Sequence, residues 1–182
     1  SNNFPLQEGD NTDKPLSFYA ASKKTNEVMA YSYSNIYKLP TTALRFFTVY
    51  GPFGRPDMAL FKFSKSIISN KKIDLFNKGN HYRDFTYIDD IISGIKKIIS
   101  TPSKKNIPYA VFNIGSGKPQ SLKLFLSIIE NLLKKKSIKN LLPLQKGDVY
   151  KTSADISALE VKFNYKPKFN IHIGIDNFIK WY

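Results

Sequence analysis

Tyr19 and Lys23 stand four residues apart in the run SFYAASKKTNE, residues 17–27. On a helix, positions i and i+4 share a face, so the two side chains would project side by side. A lysine ammonium beside a phenol favours the phenolate and draws a tyrosine pKa from about 10 toward neutrality. Such a tyrosine can take a proton from a hydroxyl while hydride leaves the carbon. The spacing alone is common, and an amphipathic helix with a surface tyrosine satisfies it equally well. Arginine is the second resource: Arg45, Arg55 and Arg83 are the only arginines among 28 basic residues. A guanidinium suits the bidentate recognition of a phosphate or diphosphate. Arg45 sits inside an apolar strand pattern and is expected to make a structural ion pair. Asp89 and Asp90 head a helical pattern, where the helix dipole favours them, so they read as structural and not as a catalytic carboxylate pair.

The elements that must position these residues alternate in type. Residues 17–37 read as a helix, with Ser17 as N-cap and Pro40 beyond its end. TTALRFFTVY, 41–50, is short, β-branched and aromatic: a buried strand. GPFGRPD is a loop, and Pro56-Asp57 are expected to start a helix running to about Ser69. KIDLF is a strand, NKGN a turn and YRDFTY an extended segment. IDDIISGIKKIIS has helical periodicity, with Ile88, Ile91, Ile92, Ile95, Ile98 and Ile99 in one broad stripe. YAVFNIG reads as a strand, SLKLFLSIIENLLKK as a helix with Ser121 near its start, and NLLPLQKGDVY as a strand and loop. SALEVKF follows as a short helix capped by Asp155. The closing helix, IHIGIDNFIKWY, is weakened at Gly174. Alternation of helices and strands predicts an α/β layered domain with parallel strands.

Composition narrows the function classes. A chain of 182 residues that is 42% hydrophobic can bury a sizeable core. No apolar run approaches the roughly 18 residues of a membrane span, and the first residues lack the pattern of a signal peptide. There is no cysteine, and His81 and His172 stand far apart, so no metal site is expected. The net charge of +14 comes mostly from lysines scattered over nearly every segment. A nucleic-acid groove concentrates its charge and favours arginine, so no nucleic-acid partner is expected.

Four stretches, in order and spacing, resemble the extended short-chain dehydrogenase/reductase family of nucleotide-sugar epimerases, and within it the UDP-glucuronate 4-epimerases. They are YAASKKTNEVMAYSYSNIYKLPTTALRFFTVYGPFGRPDMALFKF, GNHYRDFTYIDDI, FNIGSGKPQSL and LPLQKGDVYKTSADISAL. The resemblance implies the C-terminal half of a doubly wound, Rossmann-like sheet plus a small α/β substrate-binding subdomain. Residues 1–50 would complete the NAD-binding domain and carry the Tyr-Lys helix. Residues 51–182 would be mainly the substrate subdomain, with 83–115 returning to the Rossmann sheet.

Roles follow from the same resemblance. Tyr19 would be the base at the sugar 4-hydroxyl. Lys23 would hold the nicotinamide ribose and lower the Tyr19 pKa, and backbone at Phe46 would lie near the nicotinamide; Phe46 and Phe47 read equally well as core aromatics. Thr48, where many relatives have Asn, would bind the sugar carboxylate. Arg55 would reach the UDP or the sugar, Arg83 would clamp the diphosphate, and Asp148 in KGDV would contact the nucleotide ribose. Gln145 and Lys146 stand where galactose-type relatives carry an arginine, which agrees with the uronate type. NIGSG reads as strand-to-helix packing, since it lacks the G-x-G-x-x-G fingerprint.

The implied reaction is C4 epimerisation of UDP-glucuronate to UDP-galacturonate through a 4-keto sugar, with tightly bound NAD. A cytoplasmic location is expected, and since relatives often dimerise, a homodimer is one option for the full-length enzyme. The first βαβ unit that would cradle the pyrophosphate has no counterpart here, so the expectation is a C-terminal portion, inactive and unable to hold NAD tightly by itself. Alternatives are another nucleotide-sugar epimerase, a 4,6-dehydratase of the same superfamily, or a non-catalytic module binding UDP-sugars or polyanions.

Overall fold

The computed structural model describes residues 3–182. Helix α1 (Phe18–Tyr37) opens where the Ser17 side chain accepts a hydrogen bond from the Ala20 amide, at 3.1 Å. It closes on Lys38 in the left-handed conformation, two residues before Pro40. A serine cap and a proline stop account for both ends.

Strand β1 (Thr41–Phe46) pairs in parallel with β6 (Tyr109–Ile114), Thr41 opposite Tyr109 and Phe46 opposite Ile114. The sequence reads 41–50 as one strand; the structure breaks it at Phe47. The Phe47 amide still donates to the Ile114 carbonyl, at 3.1 Å, but the Thr48 amide donates to Asp84, at 3.0 Å. Strand β2 (Thr48–Tyr50) therefore pairs in parallel with β5 (Phe85–Tyr87). The backbone changes partner within one residue. Where strands part at their carboxyl ends, open α/β sheets leave the crevice in which ligands bind.

Beyond it, residues 55–58 close a turn through the Met58 amide and the Arg55 carbonyl, at 3.1 Å. Helix α2 (Ala59–Ile68) thus starts after Pro56-Asp57, not at them. Strand β3 (Lys72–Leu75) pairs in parallel with β8 (Ile138–Leu141), and β4 (Tyr82–Arg83) is antiparallel to β7 (Gln120–Ser121). Four further helices complete the chain: α3 (Ile88–Ile99), α4 (Leu122–Leu132), α5 (Ser157–Phe163) and α6 (Ile171–Trp181). The architecture is mixed α/β with parallel strands. Asp155 accepts from the Ser157 amide at 3.0 Å, but the residue flanking α5 is Ile156.

Two apolar cores form. In one, Phe63, Ile67, Phe125, Ile129, Ile175 and Phe178 meet Tyr50, Phe85 and Tyr87. In the other, α3 and α5 cover β6 through Ile91, Ile98, Ile114, Leu159, Phe163 and Tyr165. The isoleucine stripe of α3 is narrower than its periodicity suggests. Ile91 and Ile98 are buried, whereas Ile92 and Ile99 are exposed, because only one side of the helix meets β2, β5 and α5.

Gly174 is a packing requirement and not a weakness of α6. A Cβ there would sit 2.1 Å from the Tyr50 hydroxyl and 2.7 Å from its ring carbon, and Tyr50 is buried. Alanine would add helix propensity worth up to about 1 kcal/mol, yet Gly174→Ala is expected to destabilise the chain by about 1–3 kcal/mol through overpacking. A urea midpoint at or above wild type would show that Tyr50 yields freely.

Glu130 ties the end of α4 to the next loop. Its buried carboxylate accepts from the Ser137 amide, at 3.0 Å, and from the Ser137 hydroxyl, and it pairs with Lys139 at 3.2 Å. Burial pushes its pKa up, but Ser137 and Lys139 outweigh that and hold it at about 2, against an ordinary 4.5. The folded state therefore binds this proton less readily than the unfolded chain. The stabilisation is complete above the unfolded value and lost as pH falls from about 4.5 toward 2. Thermal midpoints of Glu130→Gln are expected to fall less steeply over that window than those of wild type.

Candidate functional site

The first cluster is built on α1 and the end of β1. Arg45 of β1 makes a bidentate pair with Glu27 of α1, at 2.7 and 2.8 Å. Its third contact is the Glu8 carbonyl, at 3.1 Å. The guanidinium beside Glu27 holds that carboxyl below the usual range. The expected structural ion pair is thus present, and it joins the late part of β1 to the middle of α1. Lys23 and Tyr19 lie one and two turns nearer the helix start, and since Tyr31 meets Tyr109 at the start of β6 and Glu27 meets Arg45 late in β1, those turns come toward the carboxyl end of β1. The Lys23 Nζ stands over the Tyr19 ring, 5.1 Å from its centroid, a cation–π arrangement. The Tyr19 side chain is open to solvent at 69% exposure. Phe46, at the end of β1, is half exposed; it is not a core aromatic, whereas Phe47 packs against the second core.

Thr48 and Arg55 line one small crevice with Tyr50, Gly51 and Phe85. Arg55 is exposed and, among the described residues, bonds within its own loop, its Nε reaching Asp57 at 3.0 Å. Asp57 and, at longer range, Tyr19 push the guanidinium pKa upward. Phe53 holds that loop against Trp181 of α6, with ring centroids 4.9 Å apart.

A second cluster forms around β4. Arg83 donates to Asp148 Oδ1 at 2.8 Å and to the carbonyls of Tyr82 and Tyr150 at 3.0 and 3.2 Å. The residue expected on the diphosphate and the one expected on the adjoining ribose thus bind each other here. His81, just before β4, brings its Nε2 to 3.6 Å from Asp148 Oδ2.

Sequence reasoning missed Asp84. Its side chain is fully buried and accepts five hydrogen bonds. The Ser116 amide and hydroxyl reach Oδ1 at 2.7 Å each, and the Thr86 hydroxyl reaches it at 3.2 Å. The amides of Gly117 and Ala154 reach Oδ2 at 3.0 and 2.9 Å. Within NIGSG, the Ser116 and Gly117 amides thus hold an internal carboxylate. One clue was available: an aspartate inside an apolar extended segment must find donors. Asp90 is structural as expected, for another reason. It accepts from the Lys168 and Phe169 amides at 2.8 and 3.0 Å, and so anchors the approach to α6.

Among the described residues no three His, Cys, Asp or Glu side chains gather as a metal site, and no helix is long and apolar enough to cross a membrane.

The model of the NAD dependent epimerase/dehydratase family matches residues 2–115. Protein CapI of Staphylococcus aureus is 47% identical over 192 residues, covering 98% of this chain and 58% of its own length. UDP-glucuronate 4-epimerase 2 of Arabidopsis thaliana is 44% identical over 191 residues, covering 98% of this chain and 44% of the relative. Among solved structures, the UDP-glucuronic acid 4-epimerase of Bacillus cereus in complex with UDP-glucuronic acid and NAD superposes with a TM-score of 0.86 at 33% identity. That match covers 97% of this chain and 57% of the other. The chain spans about half the length of these relatives.

Proposed function

Because the chain belongs to the NAD dependent epimerase/dehydratase family, we propose that it supplies the catalytic pair and the substrate-binding face for C4 epimerisation of UDP-glucuronate. One observation carries this reading: α1 passes Tyr109 at Tyr31 and Arg45 at Glu27, so that Lys23 and Tyr19 come toward the carboxyl end of β1, from which the chain runs into the crevice lined by Thr48 and Arg55. Strands β1 and β6 and the second core, which also recruits residues 154–165, form the NAD-side unit. The first core forms the substrate-side unit.

The described residues fit one end of NAD. Tyr19 and Lys23, both accessible from solvent, and the backbone at Phe46 suit the nicotinamide and its ribose. The amides of the Gly-containing turn after β6 are taken by Asp84, so they do not offer a pyrophosphate cradle. When bound, NAD supplies the two-electron redox step at C4.

The chain's own residues do the rest. The Tyr19 phenolic oxygen, in its deprotonated form, takes the proton from the 4-hydroxyl and later returns it. Lys23 holds the ribose and keeps a positive charge beside the phenol. The Thr48 hydroxyl binds the sugar carboxylate, and Arg55 can exchange Asp57 for the substrate. Arg83 takes the diphosphate and Asp148 the nucleotide ribose. A net charge of +14 draws in a substrate that carries about three negative charges.

A chimera tests this, with the dinucleotide-binding half of a curated relative placed before Asn3. NMR of UDP-glucuronate with NAD is expected to show UDP-galacturonate, and UDP-glucose is expected to turn over far more slowly. Equal turnover of both substrates would overturn the uronate assignment and leave a general nucleotide-sugar epimerase. Thr48→Val is expected to lower kcat/KM for the uronate about 10- to 100-fold through loss of one hydrogen bond to a charged group.

A further inference from the structure

His81 is 5% exposed, yet its Nε2 has no hydrogen-bond partner among the described residues. A buried polar atom left unpaired calls for a reason. Asp148 Oδ2 faces it at 3.6 Å, beyond hydrogen-bond range. The carboxylate is held back through its other oxygen. Oδ1 takes the Arg83 guanidinium at 2.8 Å and the Val149 amide at 2.9 Å. The histidine backbone is fixed, since its carbonyl accepts from the Leu122 amide at 2.8 Å. Asp148 lies on a loop and is partly exposed. The ring is therefore a fixed post, and the carboxylate is the part free to move.

We propose that His81 is a positioning residue for Asp148: when a nucleotide diphosphate takes Arg83, the Asp148 carboxylate changes partner and closes onto His81 Nε2. This rests on the nucleotide-sugar reading of the site. Arg83 is equipped for the exchange. Its Nη1 stays on the Tyr82 and Tyr150 carbonyls, while its Nη2 trades a carboxylate for a phosphate. Asp148, fastened from behind by the imidazole, then presents a fixed acceptor to the ribose.

The exchange moves a proton. With Arg83 on Asp148, burial and then the Arg83 charge press the His81 pKa below 6.5, partly opposed by Asp148. The other cations nearby are engaged elsewhere. Lys123 at the start of α4 is held by Asn80 at 2.6 Å, and Lys151 lies over the Phe4 ring. Once phosphate neutralises Arg83 and Asp148 faces the ring, the imidazolium is favoured. Diphosphate binding then takes up a proton and tightens as pH falls through the His81 titration.

His81 and His172 are the only histidines, so NMR of 15N-histidine-labelled 182-residue chain reads each ring separately. In wild type, Asp148→Asn is expected to lower the His81 midpoint only slightly, because Arg83 holds the carboxylate away from the ring. In an Arg83→Gln background, where the carboxylate is released, it should lower the midpoint by about one pH unit or more, a tenfold change. Equal effects in the two backgrounds overturn the proposal, because Arg83 would then act through its charge alone. Arg83→Lys keeps the charge but loses the fork, and the same comparison in that background decides the matter if the glutamine variant does not fold. Added UDP is expected to raise the His81 midpoint and leave that of His172 in place. UDP that shifts other resonances without moving the His81 midpoint also overturns the proposal. If UDP shifts nothing while the variant comparison behaves as expected, the partner exchange is supported and the nucleotide reading fails.

Discussion

Asp84→Asn is expected to lower the unfolding free energy by about 2–5 kcal/mol, the cost of two buried donors left without an acceptor. The carboxylate serves five donors with two oxygens. An amide has one acceptor oxygen and one NH2 group. With the oxygen placed toward Ser116 and Thr86, the NH2 meets the amides of Gly117 and Ala154. With the amide flipped, it meets the Ser116 amide. Neither orientation satisfies the site, and Asp84 is fully buried, so water offers no relief. The position magnifies the loss. Asp84 lies at the seam where β1 and β6 give way to β2 and β5, and its own carbonyl receives the Thr48 amide. Its side chain reaches the loop after β6 and the segment at Ala154 at once. With a total stability of about 5–15 kcal/mol for a typical domain, this single change would consume a large fraction. Urea unfolding checks it; a loss below about 1 kcal/mol would mean that the seam is held by other contacts.

Tyr19→Phe is expected to reduce turnover of UDP-glucuronate in the chimera about 10²- to 10⁴-fold, the range for loss of a positioned acid–base group. The substitution is selective. Phenylalanine keeps the ring, and with it the face beneath the Lys23 ammonium. Only the hydroxyl goes. At 69% exposure the side chain contributes little to either core, so the unfolding midpoint should be that of wild type. The expected signature is a large fall in kcat with unchanged stability. A variant retaining more than a tenth of wild-type turnover would exclude Tyr19 as the proton carrier. A non-catalytic binding module predicts no change in ligand affinity and no turnover in either protein, so the same measurement separates the two classes.

The features legible in the sequence are those with local causes. Ser17 and Pro40 bracket α1 because a cap and a stop act within a few residues of the helix they bound. Ser121 sets the start of α4 in the same way, accepting from the Leu124 amide. The alternation of helix and strand follows from periodicity, and Arg45 needed a partner because a guanidinium in an apolar strand always does. The likeness of four ordered stretches then pointed to the chemistry of Tyr19 and Lys23. The rest depended on contacts that leave no local trace. The partner change at Phe47 is dictated by Ile114 and Asp84, which sequence places far from it. The Asp84 cradle joins residues up to 70 apart, and Arg83 meets Asp148 across 65. Gly174 looked like a defect in α6 until Tyr50 was seen against it. By itself the sequence determined most elements and their order, since backbone propensity is short-range, and its likeness to a family singled out Tyr19 and Lys23 as the proposed pair. Only the tertiary structure decided which carboxylate fills which nest, where the sheet divides, and that Arg83 and Asp148 hold each other beside His81. Hydrogen-bond and packing partners of buried polar groups are chosen by the fold, not by the residues next to them in the chain.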